Sequence, residues 1–173
     1  MNSWKPISRW NAVWMAGVMA VVAWLRQSSA DHWVRILDDA NLVFHEAGHP
    51  LFGLFGPTLG LYGGTLGQLV FPAATSISFY RQRDTVPFGL CLSWLFENFL
   101  NIGRYMADAR AQVLPLVGGG EHDWTMIFSR WDVLVYDVRI GGCVQGLGWL
   151  GILGCALWLI VRASTRESSR PAA

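Results

Sequence analysis

Twenty-two consecutive residues, Ile140 to Val161, carry no charged side chain and lie between Arg139 and Arg162. As a helix such a run is about 33 Å long at roughly 1.5 Å per residue, which matches the hydrocarbon core of a bilayer. Trp149 and Trp158 within it suit the membrane boundary. A soluble domain of this size seldom hides so long an uncharged stretch, so the run constrains the fold more than any other feature. The rest of the chain agrees, with 14% charged residues against roughly 25% in an ordinary soluble domain.

Three further regions are apolar. Trp10 to Leu25 is uncharged for sixteen residues between Arg9 and Arg26, and its tryptophans at 10, 14 and 24 favour a retained signal anchor over a peptide cleaved near Ser28-Ser29-Ala30. Thr85 to Ala107 is interrupted only by Glu97, Asn98, Asn101 and Arg104, and reads as a span. Pro50 to Tyr80 is 31 uncharged residues broken by Gly53, Gly56, Pro57, Gly60, Gly63, Gly64, Gly67 and Pro72. That density predicts two helices separated by an irregular or re-entrant stretch around Leu61 to Thr65.

The expected fold is therefore an all-α membrane protein of about four transmembrane helices with a Gly-rich irregular or re-entrant segment. Residues 1–161 form a single polytopic membrane domain, and 162–173 a polar, disordered tail. Its partner is the lipid bilayer and its expected place a bacterial inner membrane. Nucleic acid is excluded as a partner: net charge is +1, and the thirteen basic residues, one of them Lys, are scattered between apolar runs. With the N-terminus inside, seven basic residues fall on the cytoplasmic face and six outside, which leaves the orientation open. Either way, the segment before His45 and the loop from Asp108 to Arg139 share a face. Cys91, Cys143 and Cys155 lie in apolar stretches without the spacing of a disulfide framework or thiolate zinc site.

One constellation carries chemistry. His45-Glu46-Ala47-Gly48-His49 places two imidazoles at i and i+4 on one helix face, where both can address a single zinc ion. Glu46 then lies beside the metal, suited to take a proton from water as a general base. With four His and four Glu in the chain, a shuffled sequence contains this HExxH pattern roughly once in 500. Two His and a Glu entering an apolar segment are also costly without a partner or a metal.

A catalytic zinc takes three protein ligands and leaves a fourth position to water. Candidates for the third are Asp108 and His122 equally, then Asp123, then Glu121; His32 is a weaker candidate in a wet interfacial loop. A carboxylate left over can orient a ligating imidazole. Glu97, ionisable within an apolar segment, is functional, paired with Arg104, or protonated against a neighbouring helix. Arg110 either holds Asp108 or marks the membrane boundary.

His45 to His49 at the start of a membrane helix, a Gly-rich apolar stretch, then Asn101 and Asp108 on another helix together resemble the site-2 protease class of intramembrane zinc metalloproteases. The resemblance covers residues 42–108 and is firm only at His45 to His49. Asn101 to Asp108 lacks that family's prolines and its Leu-Asp-Gly ending, and Glu121 to Trp124 is no part of its signature. It implies a zinc-dependent peptidase acting on a membrane-associated polypeptide, with Asp108 as third ligand and Asn101 as a substrate-backbone contact. The alternative is a noncatalytic metal-binding integral membrane protein that keeps the ligands without turnover.

Overall fold

The computed structural model describes residues 3–117 and 120–164. Ser8 opens the first helix, α1 (Arg9–Ser28): its hydroxyl accepts the Asn11 N–H at 3.1 Å, satisfying one of the donors a helix start leaves free. The motif helix α2 (Leu37–Gly53) carries Asp38 and Asp39 in its first turn, where the helix dipole favours negative charge. A turn over residues 54–56 follows, closed by Gly56 at φ 117°, a conformation other residues rarely adopt. Pro57 then begins α3 (Pro57–Arg81), and a second sharp turn leads into α4 (Thr85–Ala107). Beyond a loop come the short α5 (Asp123–Arg130), a 3₁₀ turn (Leu134–Tyr136) and the long α6 (Asp137–Ser164).

The described residues are thus all-α, with six α-helices and no strand. The expected span Thr85 to Ala107 coincides with α4. Two expectations are corrected. First, the Gly-rich region is no re-entrant loop: the break falls at residues 54–56, and α3 runs unbroken through Leu61 to Thr65. The glycines serve helix contact instead. A Cβ on Gly48 would lie 2.0 Å from the Gly63 carbonyl oxygen, so α2 and α3 pack backbone against backbone, and that packing outweighs the poor helix propensity of glycine.

Second, among the described residues one helix, taken with its 3₁₀ lead-in as Leu134–Ser164, is long and apolar enough to cross a membrane by length and composition. About four were expected. The others are diluted by polar residues that face inward: Arg26 on α1, Gln68 and Ser76 on α3, and Ser93, Glu97 and Asn98 on α4 are all buried. The expected polar tail begins later, since α6 continues through Arg162 to Ser164; the remainder, 165–173, lies outside the described residues.

Burial divides the molecule into layers. At one end Met15 and Met19 of α1 meet Cys155 and Leu159 of α6, and Trp4 sits among Tyr80, Phe88 and Trp158. At the other end Trp124, Ile127 and Phe128 dock α5 onto Ile102 and Met106 of α4. Between these apolar clusters α4 presents Glu97, Asn98 and Asn101 to a polar interior. Glu97 lies 3.6 Å from Arg26 and accepts from the Asn41 amide at 2.8 Å, so its cationic partner is Arg26, not Arg104. Arg104 instead lies over the Trp33 ring.

Candidate metal centre

His45 and His49 occupy successive turns of α2, their ring centroids 5.0 Å apart. Each Nδ1 is tied to a carbonyl-type oxygen, His45 to Gln68 Oε1 at 3.0 Å and His49 to the Gly60 backbone oxygen at 2.9 Å. Such oxygens only accept, so each Nδ1 carries a proton and Nε2 is the nitrogen each ring turns toward the site. Both Nε2 atoms face one carboxylate oxygen, Asp123 Oδ2, at 3.0 Å and 3.3 Å. These three donors lie within 4.8 Å of one another, as a metal held by two imidazoles and a carboxylate requires.

Asp123 arrives there because of how α5 is held. Trp124, Ile127 and Phe128, at helical spacing, bury against α4, while the Thr125 hydroxyl donates to the Ala109 carbonyl. His122 caps the helix: its Nδ1 accepts from the Thr125 N–H at 3.3 Å. The first helical residue, Asp123, is thereby turned toward α2, and the Tyr105 hydroxyl lies 3.2 Å from its backbone nitrogen. Burial pushes the Asp123 carboxyl upward, but the hydrogen bonds with His45 and His49 outweigh it and hold the group below the ordinary carboxylate value.

The two favoured third ligands stand elsewhere. Asp108, at the end of α4, accepts the Val113 and Leu114 N–H groups, each at 3.0 Å, and so organises the loop. His122 is committed to its cap and stacks on Tyr105, ring centroids 4.1 Å apart, with Nε2 aimed at Asp108 3.6 Å away. Burial lowers the pKa of that imidazole, against the pull of Asp108 and Asp123. Glu121 is exposed on the cavity wall, and His32 sets its Nδ1 against the Arg26 carbonyl. Arg110 pairs with Asp137, not Asp108. Asn101 joins a buried network beneath His45.

The centre opens into a cavity of about 1080 Å³ whose wall includes Trp33, Glu46, His49, Arg104, Leu114 and Glu121. Glu46 is half-buried and shares this cavity with the ligands, as a proton acceptor beside a bound metal must. The floor is Gly64, where a Cβ would lie 2.4 Å from His45 Nε2 and 2.7 Å from His49 Nε2. That cradle would be filled by any side chain.

No family model, curated protein or solved structure matches this chain. Its chemistry is carried by its own geometry.

Two contributors escaped the sequence reading, Gln68 and Gly64. Gln68 is the one side-chain amide in the uncharged stretch from Pro50 to Tyr80, and a lone amide in so apolar a run was a signal. For Asp123 the signal was the apolar spacing Trp124, Ile127, Phe128, which starts a helix at 123 and assigns His122 to the cap.

Proposed function

We propose that the chain is a membrane-embedded, zinc-dependent metallohydrolase, a peptidase of loosely site-2 protease-like design. The observation that carries this reading is the convergence of His45 Nε2, His49 Nε2 and Asp123 Oδ2, with both histidines anchored through Nδ1. Zinc, when held there, would supply the Lewis acidity that brings a bound water's pKa to about 7. Two imidazoles and one carboxylate leave room for that water. Glu46 accepts the proton from the attacking water and returns it to the leaving amine. The Tyr105 hydroxyl, beside Asp123, steadies the carboxylate's backbone.

Membrane embedding is supported by an inverted distribution of polarity. Trp10, Trp14 and Trp24 on α1, Val70 and Phe71 on α3, and Leu150, Leu153 and Leu157 on α6 are exposed, while Arg26, Asp38, Gln68, Glu97 and Asn98 are buried. A chain folding in water favours the opposite arrangement; one folding in lipid hides its polar groups among its own helices. On this reading α1, α3 and α4 accompany α6 across the bilayer, and the substrate is a membrane-associated polypeptide that reaches the cavity beside Trp33 and Arg104.

The test begins with metal analysis of detergent-purified protein. About one zinc per chain is expected, lost in the His45→Ala, His49→Ala double variant and in Asp123→Ala. Glu46→Gln should keep the zinc and abolish cleavage of a membrane-anchored reporter polypeptide. Zinc without cleavage in the unmodified protein points to the noncatalytic metal-binding alternative, and absence of zinc overturns both.

A further inference from the structure

Beneath the centre runs a hydrogen-bond chain whose direction is fixed at two points remote from the ligands. Asp38, buried at the start of α2, accepts the Val34 N–H on Oδ2 and the Asn101 side-chain amide on Oδ1, the latter at 2.8 Å. A carboxylate offers acceptors only, so Asn101 must turn its NH₂ toward it and its oxygen away. That oxygen meets Gln68 Nε2 at 2.9 Å. Independently, Asn98 gives its NH₂ to the Trp94 backbone carbonyl at 3.0 Å, which turns its own oxygen to the same Gln68 nitrogen at 3.3 Å. Gln68 therefore faces two oxygens with its NH₂. Its oxygen is left for His45 Nδ1 at 3.0 Å.

An amide side chain alone is ambiguous, since either end can face an imidazole nitrogen. Were Gln68 reversed, its NH₂ would donate to His45 Nδ1, the proton would move to Nε2, and the lone pair needed by a metal would be gone. The ligand-competent form of His45 is thus dictated from Asp38 and from the Trp94 carbonyl, and Asp38, Asn98 and Gln68 are all buried from competing water.

We propose that Gln68, Asn98, Asn101 and Asp38 are positioning residues that keep a proton on His45 Nδ1, so that Nε2 is the nitrogen offered to a metal, and so set the metal affinity of the centre. This rests on the metal-site reading above and names the device that regulates it. It also gives Asn101 a role distinct from substrate contact.

The test uses full-length protein in detergent, titrated with Co²⁺ alone and followed by visible absorption. Gln68→Met keeps the length of the side chain and removes both polar atoms; Asp38→Asn places a donor where only acceptors stood. Each should weaken Co²⁺ binding about 10- to 100-fold, the usual effect of losing a ligand's supporting partner. The double variant should bind no more weakly than Gln68→Met alone, because the link between the two positions is already broken. ¹⁵N NMR of the metal-free protein should show a proton on His45 Nδ1, partly lost in Asp38→Asn.

Co²⁺ affinity within twofold of the unmodified protein in Gln68→Met overturns the proposal, as do fully multiplicative losses in the double variant. If Asp38→Asn does not fold, Gln68→Met and the Nδ1 proton of unmodified His45 decide alone. If the unmodified protein takes up no Co²⁺, the metal reading fails, whereas a missing proton on His45 Nδ1 would still overturn the hydrogen-bond chain.

Discussion

At Gly64 the absence of a side chain keeps the space beside two imidazoles open. The methyl group of Gly64→Ala would press on both imidazoles, since its Cβ would lie 2.4 Å from His45 Nε2 and 2.7 Å from His49 Nε2. Alanine is the better helix former by roughly 0.5–1 kcal/mol, so a loss of function here is not a loss of helix. Gly64→Ala should abolish zinc binding, measured by metal analysis, and leave helical content by circular dichroism unchanged. Retained zinc would mean that the ion sits elsewhere. At this scale the sequence was informative about ligands and silent about space. His45, Glu46 and His49 are legible because helical spacing alone puts them together, whereas the third ligand depends on where a distant loop comes to rest. Asp108 is engaged instead by two loop N–H groups and His122 by its cap, both local hydrogen bonds.

At the scale of elements, α5 delivers the carboxylate, and Phe128 anchors α5. It is fully buried, with its ring centroid 5.0 Å from that of Trp124. Phe128→Ala should remove about 3–5 kcal/mol of packing, much of it from α5 docking. The expected result is weaker zinc binding with His45 and His49 untouched; Co²⁺ titration alongside a thermal melt measures both. Unchanged affinity would show that Asp123 is placed by some other contact. Elements were read from hydropathy with uneven success. α4 emerged with its boundaries because its polar interruptions are few, while α3 was mistaken for two pieces because glycine signals both a break and a close contact. Only the partner helix distinguishes these, and Gly48 facing Gly63 is a tertiary fact.

For the whole molecule, the membrane-embedded reading proposed above predicts which surfaces meet lipid. Trp10, Trp14 and Trp24 are exposed by 82%, 60% and 65% on the outer side of α1. In vesicles of lipids brominated along their acyl chains, tryptophan fluorescence should be strongly quenched, and replacing these three with Phe should remove a large part of that quenching. Quenching unaffected by the replacement would place α1 away from the acyl chains. The polar interior explains why hydropathy counts fewer spans than the sequence reading did: buried Glu97, Arg26 and Asn98 lower the average of helices whose outer faces are apolar. A different consequence follows from how far apart the ligands lie along the chain. His45 and Asp123 are 78 positions apart, so an ion between them acts as a removable staple that cross-links α2 to α5. Any excursion that lifts α5 must first break it. Zinc at 100 times its dissociation constant would oppose such opening by about 2.7 kcal/mol. Proteolysis in the exposed strap around Val113 and Val117 should then slow about 100-fold relative to the chelator-treated protein, provided cleavage requires α5 to lift. Fragment analysis by mass spectrometry reads this directly, and a cleavage rate indifferent to zinc would mean that the strap opens without disturbing the ligands. The ion would then serve two ends: it equips the cavity for chemistry, and it keeps the cavity's wall in place.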